Sequence, residues 1–487
     1  MITFFSAIIL LLLGYFLYSK IIEKLVNINS KAKTPAFASQ DGIDFVPMSQ
    51  PRNSLINLLN IAGTGPIFGP ILAALYGPVA LLWIVFGCIF AGAVHDFLLG
   101  IISLRNNGAT LPMLAEKYIS KIAKHAVNVF SLLLLILVAT VFVVGPANLI
   151  LELFKSTSSL DSFISILSKI NLVYIIGGLF IYNFLATLLP IDKVIGRIYP
   201  YFGALLIFSA VAMFVSVVFL FPELTKPELN FANMHPANLP IYPLLFLVLS
   251  CGAISGFHAT QIPIVARTIE NESHARNVFY GMMIAEGIVA LIWAYATIVL
   301  LDGETLLSLI KEGTPSLVVS KVAVMTLGSI LGTFAIMGVI VLPLSSGSTA
   351  FRAIRLMIAE YLGLDQKSKF KRLIITIPAF LISMILCTMD FQLLWQYFSW
   401  ANQTLASIAL WICTIYLISI KKPMYYTFFP ALFMTTVVLT FIMYDKKMGL
   451  GIDITVATII SVVISMCLGA FVFFNKKNIE LKFNGRV

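Results

Sequence analysis

The chain is a succession of long apolar runs separated by short polar ones. A helix that crosses a bilayer needs about 20 consecutive apolar residues, and thirteen runs come close to that length. The pattern therefore predicts an all-α polytopic membrane protein, with spans at residues 3–19, 54–75, 76–102, 126–153, 170–189, 199–221, 241–263, 277–301, 318–344, 372–388, 391–420, 424–443 and 452–474.

Two of these runs are interrupted near their middle. Residues 60–70 contain three glycines and two prolines, and residues 251–258 contain two glycines. Both residue types disfavour a straight helix. Irregular backbone survives at membrane depth only where it is buried in protein or lines a cavity. Two interrupted spans in corresponding positions predict a transporter built from two repeats, with its binding site at the breaks.

The charges of the loops predict the orientation. With the N-terminus outside and the C-terminus in the cytoplasm, cytoplasmic loops hold 25 of the 32 basic residues, as expected for loops on that side. The two interrupted spans are then the first spans of two five-span blocks, 54–225 and 240–421. Five is odd, so the blocks have opposite topology and form an inverted repeat. Residues 1–53 (one span and a cytoplasmic linker) and 422–487 (two spans and a tail) lie outside it.

Composition supports a membrane protein and excludes several other functions. The chain is 60% hydrophobic and only 11% charged, and its net charge of +10 is explained by the cytoplasmic loops. We therefore predict a lipid bilayer and a small-molecule substrate as partners, and no nucleic acid; the oligomeric state is left open. The chain lacks GxxxxGK[ST], HExxH and GxSxG motifs, so we predict neither an ATP-driven pump nor an enzyme. The five cysteines show no CxxC spacing, and we predict no cofactor and no firm metal site.

The first break is the leading candidate for the substrate site. Pro66 suits the first turn of a helix, so the free N–H groups after Gly63, Thr64 and Gly65 would face the middle of the membrane. A helix N-terminus favours an anion such as a carboxylate. Close helix packing is the alternative, because Gly65 and Gly69 fit the GxxxG contact pattern.

The second break brings further polar candidates. Those around it are Ser255, Gly256, Phe257, His258 and Gln261, and Asn402 lies in the span 391–420. We interpret His258 as a group that hydrogen-bonds a substrate carboxylate or carries a coupling proton. The alternative is a histidine that is hydrogen-bonded to a neighbouring carbonyl. The amide of Asn402 either reaches the cavity or holds helices together.

Three ionisable residues lie inside predicted spans, and such residues by default mark ion or proton pathways. They are His95, Asp96 and Glu286. For Asp96 the alternative is a structural pair with Arg105. The run 351–362 is amphipathic, with Arg352 and Arg355 on one side, and predicts an interfacial helix at the lipid headgroups.

Several motifs resemble the carbon starvation CstA family. They are the runs 61–70 (IAGTGPIFGP), 90–97 (FAGAVHDF), 251–261 (CGAISGFHATQ), 342–352 (LPLSSGSTAFR) and 400–406 (WANQTLA). The resemblance covers about residues 50–420, and the chain is similar to the shorter clostridial-type members. It implies ion-driven uptake of peptides or pyruvate across a bacterial inner membrane, on a LeuT-like 5+5 inverted-repeat fold with broken first and sixth core helices.

The resemblance also suggests how ions are coupled. In LeuT-like transporters, hydroxyls of the eighth core helix and carbonyls near the first break bind sodium, which implies a possible sodium site at Ser345, Ser346, Ser348 and Thr349. Related sequences often have Asp where this chain has Ser348. Alternatively these residues simply end a helix. The second and seventh spans lie close together in such a core, so we also hypothesise a pair between His95 and Glu286.

The prediction is a secondary active transporter that imports peptides or a small carboxylate such as pyruvate by ion-coupled alternating access. The coupling ion, proton or sodium, is left open. The alternative is a channel or facilitator for small organic anions or amino acids, which would not accumulate its substrate against a gradient.

Overall fold

The computed structural model describes residues 2–157, 171–188, 191–220, 229–364 and 368–483. Within these ranges the chain is helical and forms no β-strand; a single parallel bridge joins Met48 to Ile269. Residues 221–228, which include the end of the first predicted block, lie outside the described residues.

Helices or pairs of helices occur at each of the predicted spans. Nine described helices are long and apolar enough to cross a membrane, and a bent pair raises the number to ten. The nine are Ile2–Leu25, Val79–Arg105, Lys121–Phe154, Tyr199–Phe219, Glu272–Leu300, Gly303–Leu362, Phe391–Ser419, Tyr425–Tyr444 and Ile454–Phe474. Three predicted spans fall short of that test: the 17-residue helix Leu172–Leu188, the interrupted pair Ile241–Val248 and Gly256–Ala266, and the helix Lys369–Leu386, which begins with basic residues.

Both predicted breaks are present. In the first broken span, the helix Gln50–Ile61 ends, and a second segment, Gly65–Tyr76, leaves at an angle of 48°. In the second broken span, Ile241–Val248 is separated from Gly256–Ala266 by seven non-helical residues. Gly252 in that gap has a φ of +83°, a left-handed conformation that favours glycine.

The two breaks pack directly against each other. A Cβ placed on Gly65 would lie 2.3 Å from the Sγ of Cys251, and one on Gly69 would lie 2.9 Å from the carbonyl oxygen of Val248. Membrane helices gain little from the hydrophobic effect inside lipid and associate through such close contacts between small residues. The packing alternative for Gly65 and Gly69 therefore describes a real contact, and it brings the two breaks to one place.

The run 351–362 is not an interfacial helix, so that prediction is wrong. It is the end of the helix Gly303–Leu362, and Arg352 and Arg355 are 1% and 0% exposed. Both guanidinium groups contact the buried carboxylate of Asp44, at 3.4 Å and 3.1 Å. A buried charge needs such a partner, and this one comes from the linker that precedes the first broken span.

The last two spans form a C-terminal hairpin, Tyr425–Tyr444 and Ile454–Phe474. Its first helix packs along Phe391–Ser419 through hydroxyl contacts, including Ser407 to Thr435 at 2.8 Å and Thr414 to Thr427 at 2.8 Å. The division of the chain into two five-span repeats and flanking segments stays a prediction.

Candidate functional site

Four buried ionisable side chains meet beside the second break, and we call them the buried relay: His95, Asp96, His258 and Glu286. All four are fully buried. The Nδ1 atoms of His95 and His258 lie 2.7 Å and 2.9 Å from the two carboxylate oxygens of Asp96. The Nε2 of His258 lies 3.3 Å from the Oε2 of Glu286. One imidazole is thus placed between two carboxylates.

Three separate elements position the relay. His95 and Asp96 lie in Val79–Arg105, His258 lies near the start of Gly256–Ala266 in the second broken span, and Glu286 lies in Glu272–Leu300. Because each carboxylate comes from a different helix, a change of protonation at His258 alters two helix contacts at once.

The structure corrects two predicted pairings. His95 contacts Asp96, and it is His258 that lies next to Glu286, so the proposed pair of His95 with Glu286 is wrong. Asp96 does not pair with Arg105, which instead contacts Glu272 at 2.5 Å. Nor is His258 satisfied by a backbone carbonyl, since the described hydrogen bond and ion pair of its ring nitrogens are to the carboxylates of Asp96 and Glu286.

Cys251 is the residue of this region that sequence reasoning undervalued. Its Sγ, a ring nitrogen of His258 and a carboxylate oxygen of Glu286 all lie within 4.8 Å of one another, close enough to surround a metal ion. The sequence offered one signal for it, since Cys251 comes directly before Gly252 in the break. Both oxygens of Glu286 are buried without a well-aligned hydrogen bond from any described residue.

Asn402 organises the second break rather than offering a free amide. Its Oδ1 accepts hydrogen bonds from the backbone N–H of Phe257 at 2.6 Å and from the Ser255 hydroxyl at 3.2 Å. Its Nδ2 donates to the carbonyl of Ser250. The side chain therefore caps the helix that starts at Gly256 and fixes its direction toward the relay.

The close approach at Gly256 gives a testable result. A Cβ there would lie 2.2 Å from the carbonyl oxygen of Asn402 and 2.6 Å from the backbone nitrogen of Ala406. These backbone atoms cannot easily move away from an added methyl group. We therefore expect Gly256→Ala to destabilise the protein by about 1–3 kcal/mol. Thermal unfolding of the purified protein measures this. Gly177→Ala is the control, because a Cβ at Gly177 meets no atom within 4 Å. Equal stability of the two variants would contradict the packing described at the break.

The first break lies against an aromatic ring and contains a buried hydroxyl. A Cβ on Gly63 would lie 2.2 Å from the ring of Phe142, so the backbone approaches that ring closely. Thr64 is fully buried, and its hydroxyl has no hydrogen-bond partner among the described residues. The same holds for the Oε1 of Gln261 in the second broken span. Pro66 occupies the first turn of its helix, as predicted.

Sequence reasoning missed a polar stripe that leads to this break. Asn53, Asn57 and Asn60 follow one another at spacings of four and three residues, which places them on one face of the helix Gln50–Ile61, and Thr64 follows them in the break. All four are fully buried. The Nδ2 of Asn60 and the Oδ1 of Asn57 lack described hydrogen-bond partners. The spacing of these polar residues can be read from the sequence, next to the glycines and prolines that indicate the break.

The hydroxyl cluster lies against the first broken span. The hydroxyls of Ser345 and Ser346 donate to the carbonyl of Leu59, at 2.8 Å and 2.9 Å. Ser348 and Thr349 donate to carbonyls of their own helix, those of Ser345 and Ser346. The cluster therefore brings several oxygen atoms close to the first break, the chemistry that a sodium ion needs.

The two ends of the bundle differ. At one end a cavity of about 500 Å³, which we call the vestibule, opens between the two broken spans and Phe391–Ser419. At the other end, which we call the ion-pair end, charged contacts join neighbouring elements. They include Asp44 with Arg352 and Arg355, Arg105 with Glu272, and Arg267 with Glu360 at 3.6 Å.

Solved structures identify the fold. MhsT in complex with L-phenylalanine is 14% identical to this chain with a TM-score of 0.57, over 87% of this chain and 99% of that one. The Eremococcus coleocola manganese transporter, in complex with an aromatic bis-isothiourea substituted compound, is 11% identical with a TM-score of 0.57, over 90% and 99%. The chain thus has the LeuT fold, as the sequence predicted.

The family follows from sequence comparison. Residues 1–179, 154–323 and 312–441 match the family described as Carbon starvation protein CstA. The chain belongs to the carbon starvation CstA family, which confirms the resemblance seen in its motifs.

The chain aligns with different shares of the lengths of its relatives in this family. An uncharacterized membrane protein of Haemophilus influenzae is 46% identical over 60% of this chain and 89% of its own length. Peptide transporter CstA of Campylobacter jejuni is 29% identical over 59% of this chain and 48% of its own. The pyruvate/proton symporter BtsT of Escherichia coli is 27% identical over 60% and 48%. The chain thus spans about half the length of these two functionally named relatives, both of which are transporters rather than enzymes.

Proposed function

We propose that this chain is a proton-coupled secondary transporter that imports small carboxylates, namely short peptides or pyruvate, by alternating access. The observation that carries the proposal is the buried relay beside the second break. The names of the relatives, a peptide transporter and a pyruvate/proton symporter, support the same substrate classes and the same ion.

The charge of the relay explains how a proton would act. With Asp96 and Glu286 ionised, His95 neutral and His258 protonated to the imidazolium cation, the set carries a net charge of −1. A further proton, held at Glu286, neutralises it. Burying an unbalanced charge is costly, so the protonated relay favours the closed packing and the deprotonated relay favours opening. Because the relay joins three elements, proton binding and helix movement become linked.

The first break supplies the substrate chemistry in this proposal. The Gly65–Tyr76 helix starts at the break, and a helix N-terminus attracts a carboxylate. The hydroxyl of Thr64 at this break and the side-chain carbonyl oxygen of Gln261 in the second broken span are both buried without a described hydrogen-bond partner. Thr64 would donate to a substrate carboxylate, and Gln261 would accept from a peptide N–H or amino group.

The two ends of the bundle correspond to the two sides of the membrane in this mechanism. The vestibule leads to the breaks, while ion pairs close the opposite end. With the orientation inferred from loop charge, the vestibule faces the outside and the ion-pair end faces the cytoplasm. Substrate and proton would enter through the vestibule. Opening of the ion-pair end would expose the polar stripe as a hydrated path into the cell.

Uptake into proteoliposomes tests the function. We expect pyruvate or a di- or tripeptide to accumulate above its external concentration when an inward proton gradient is imposed, and a protonophore to abolish this. A channel or facilitator would only equilibrate its substrate, so equilibration without accumulation would contradict the proposal.

Sodium is the second candidate ion, favoured by the hydroxyls of Ser345 and Ser346 at the carbonyl of Leu59. For a proton-coupled protein we expect the Ser345→Ala, Ser346→Ala double variant to keep proton-driven accumulation, because these hydroxyls donate to the carbonyl of Leu59 and do not belong to the relay that carries the proton. Initial uptake rates in sodium and in choline buffers measure this. Accumulation that requires sodium in the wild type and vanishes in the variant would assign coupling to the hydroxyl cluster instead.

A further inference from the structure

The vestibule has walls from both broken spans and from Phe391–Ser419. Leu72 and Tyr76 line it from the first broken span, Leu247 and Val248 from the second, and Trp395 from the third helix. The carbonyl of Val248, a residue of this wall, is the one that approaches Gly69 in the first broken span. The cavity wall therefore includes a residue at the contact between the two broken spans.

The charged groups around the vestibule are mostly basic. Lys311, Lys446 and Lys447 line it together with one carboxylate, that of Asp445. All three lysines are exposed. The Oδ1 of Asp445 accepts hydrogen bonds from the backbone N–H groups of Lys447 and Met448, at 2.9 Å and 2.7 Å. Asp445 thus holds its own turn together, and the rim keeps a positive surplus.

Two of these lysines come from outside the predicted inverted repeats. Lys446 and Lys447 lie in the turn of the C-terminal hairpin, and that turn is held by backbone hydrogen bonds. Gly449 donates to the carbonyl of Asp445 at 3.1 Å, and Ile452 donates to that of Met443 at 2.8 Å. A further hydrogen bond, from the indole nitrogen of Trp400 to the carbonyl of Val438 at 3.2 Å, ties the hairpin to the vestibule wall. The lysines are therefore presented at a fixed place rather than on a free tail.

We propose that the C-terminal hairpin forms the specificity-determining rim of the vestibule, where Lys446 and Lys447 capture the carboxylate of an incoming substrate before it reaches the breaks. This inference rests on the proposed function, because it assumes that the vestibule is the substrate entrance. A cleft lined by charge of one sign raises the local concentration of oppositely charged ligands. The aromatic wall, with Tyr76, Phe391 and Trp395, leaves an apolar surface for the rest of the molecule.

The test compares two matched pairs of lysines at opposite ends of one helix. Lys446 and Lys447 follow Tyr425–Tyr444, and Lys421 and Lys422 precede it; its 20 residues separate the pairs by about 30 Å. We expect the Lys446→Gln, Lys447→Gln double variant to raise the KM for pyruvate or for a tripeptide roughly threefold to tenfold. The maximal rate should stay the same. The Lys421→Gln, Lys422→Gln double variant should leave KM unchanged.

Salt separates capture by charge from a structural effect. Exposed charges interact over about 10 Å at 0.1 M salt and less at higher salt. The KM of the wild type should therefore rise with ionic strength, balanced on both sides of the membrane, whereas that of the Lys446, Lys447 variant should stay flat. Equal salt dependence in both proteins would overturn the inference.

Chemical rescue supplies a second readout. In a Lys447→Cys variant, a cationic methanethiosulfonate reagent should restore the wild-type KM, and an anionic reagent should raise KM further. Wild type treated with the same reagents controls for native cysteines. Identical effects of the two reagents would overturn the inference.

The two substrates distinguish the possible sources of the carboxylate. A KM effect for the tripeptide but not for pyruvate would restrict capture to peptides, and the reverse would restrict it to pyruvate. If wild type accumulates neither, the proposed function fails. If wild type accumulates substrate and the lysine variants match it in KM, only the role of the rim fails.

Discussion

The Glu286→Gln variant is expected to exchange substrate across the membrane but to lose accumulation driven by a proton gradient. Glutamine has nearly the same shape, so the packing beside His258 persists. It cannot take up or release a proton, so the relay no longer switches between net charges of −1 and zero. We expect the accumulation ratio to fall at least about tenfold, the equivalent of 1.4 kcal/mol.

Counterflow, the exchange of labelled for unlabelled substrate without a gradient, shows that the variant is folded and binds substrate. The matched control is Glu304→Gln, an exposed glutamate in the first turn of Gly303–Leu362. Glu304→Gln should accumulate substrate as wild type does. A Glu286→Gln protein that accumulates substrate normally would remove Glu286 from the coupling mechanism.

The Asp44→Asn variant is expected to open the ion-pair end. Asp44 contacts both Arg352 and Arg355 in a buried setting. Removing one partner of a buried pair costs about 3–5 kcal/mol, and here that cost falls on the conformation in which the contact is made. The balance should shift toward the conformation open at this end by more than about tenfold.

Thiol labelling measures this opening. A reporter cysteine at Asn57, buried on the polar stripe, should react faster with a reagent supplied from the ion-pair side in the Asp44→Asn protein. Cys387 and Cys467, which are not fully buried, are replaced by serine in the background. Glu23→Gln is the control, since Glu23 pairs with Arg276 at 3.1 Å and both side chains are partly exposed. Equal labelling of the Asp44→Asn and Glu23→Gln proteins would contradict a closing role for Asp44.

The stability of the contact between Asp44 and its two arginines depends on pH in one direction only. Burial raises the pKa of Asp44, but the guanidinium groups of Arg355, Arg352 and Arg267 outweigh it and hold the pKa below its usual value. A lowered carboxyl pKa stabilises the folded contact above the ordinary value of about 3.9, and the stabilisation is lost only as pH falls through the lower value. We therefore expect the accessibility of the Asn57 reporter to be constant between about pH 5 and 8 in a protein that keeps Asp44 and carries Glu286→Gln, so that the relay does not switch. Accessibility is the labelling rate divided by that of a free thiol at the same pH, since only the thiolate reacts. A ratio that changes across this range would contradict the assignment.

The breaks were predictable because glycine and proline act locally. The runs around Gly63 and Gly252 interrupt apolar spans, and the chain leaves its helix at both places. The same interruptions, together with loop charge, led to the LeuT fold that the structure has, and the two repeats stay a prediction. The family motifs lie at the same positions, which is why composition and resemblance led to the same fold.

The partners within the site were not predictable in the same way. Which side chains meet depends on the rotation of each helix about its axis, which apolar spans hardly constrain. His95 and His258 both lie near carboxylates, and the sequence alone could not tell which of them would lie next to Glu286. Asn402 looked like a group facing a cavity, yet it caps the helix at Gly256.

Ion pairs between residues far apart in the chain could not be predicted from the sequence either. Asp44 lies in a polar linker more than 300 residues from Arg355, and nothing local indicates that they meet. The amphipathic run around Arg352 therefore resembled a surface helix, because amphipathicity records only that a helix has two kinds of face. Whether its charged face contacts lipid headgroups or a buried carboxylate is decided by tertiary structure.

Substrate-induced proton movement tests the central claim, coupling through the buried relay, most directly. Proteoliposomes that contain a pH-sensitive dye, in sodium-free buffer and without an imposed gradient, are given external pyruvate or tripeptide while the membrane potential is clamped. The account predicts acidification of the interior with wild type, and none with Glu286→Gln even though that variant still exchanges substrate. Substrate uptake by wild type without acidification, or equal acidification by the Glu286→Gln protein, would contradict it.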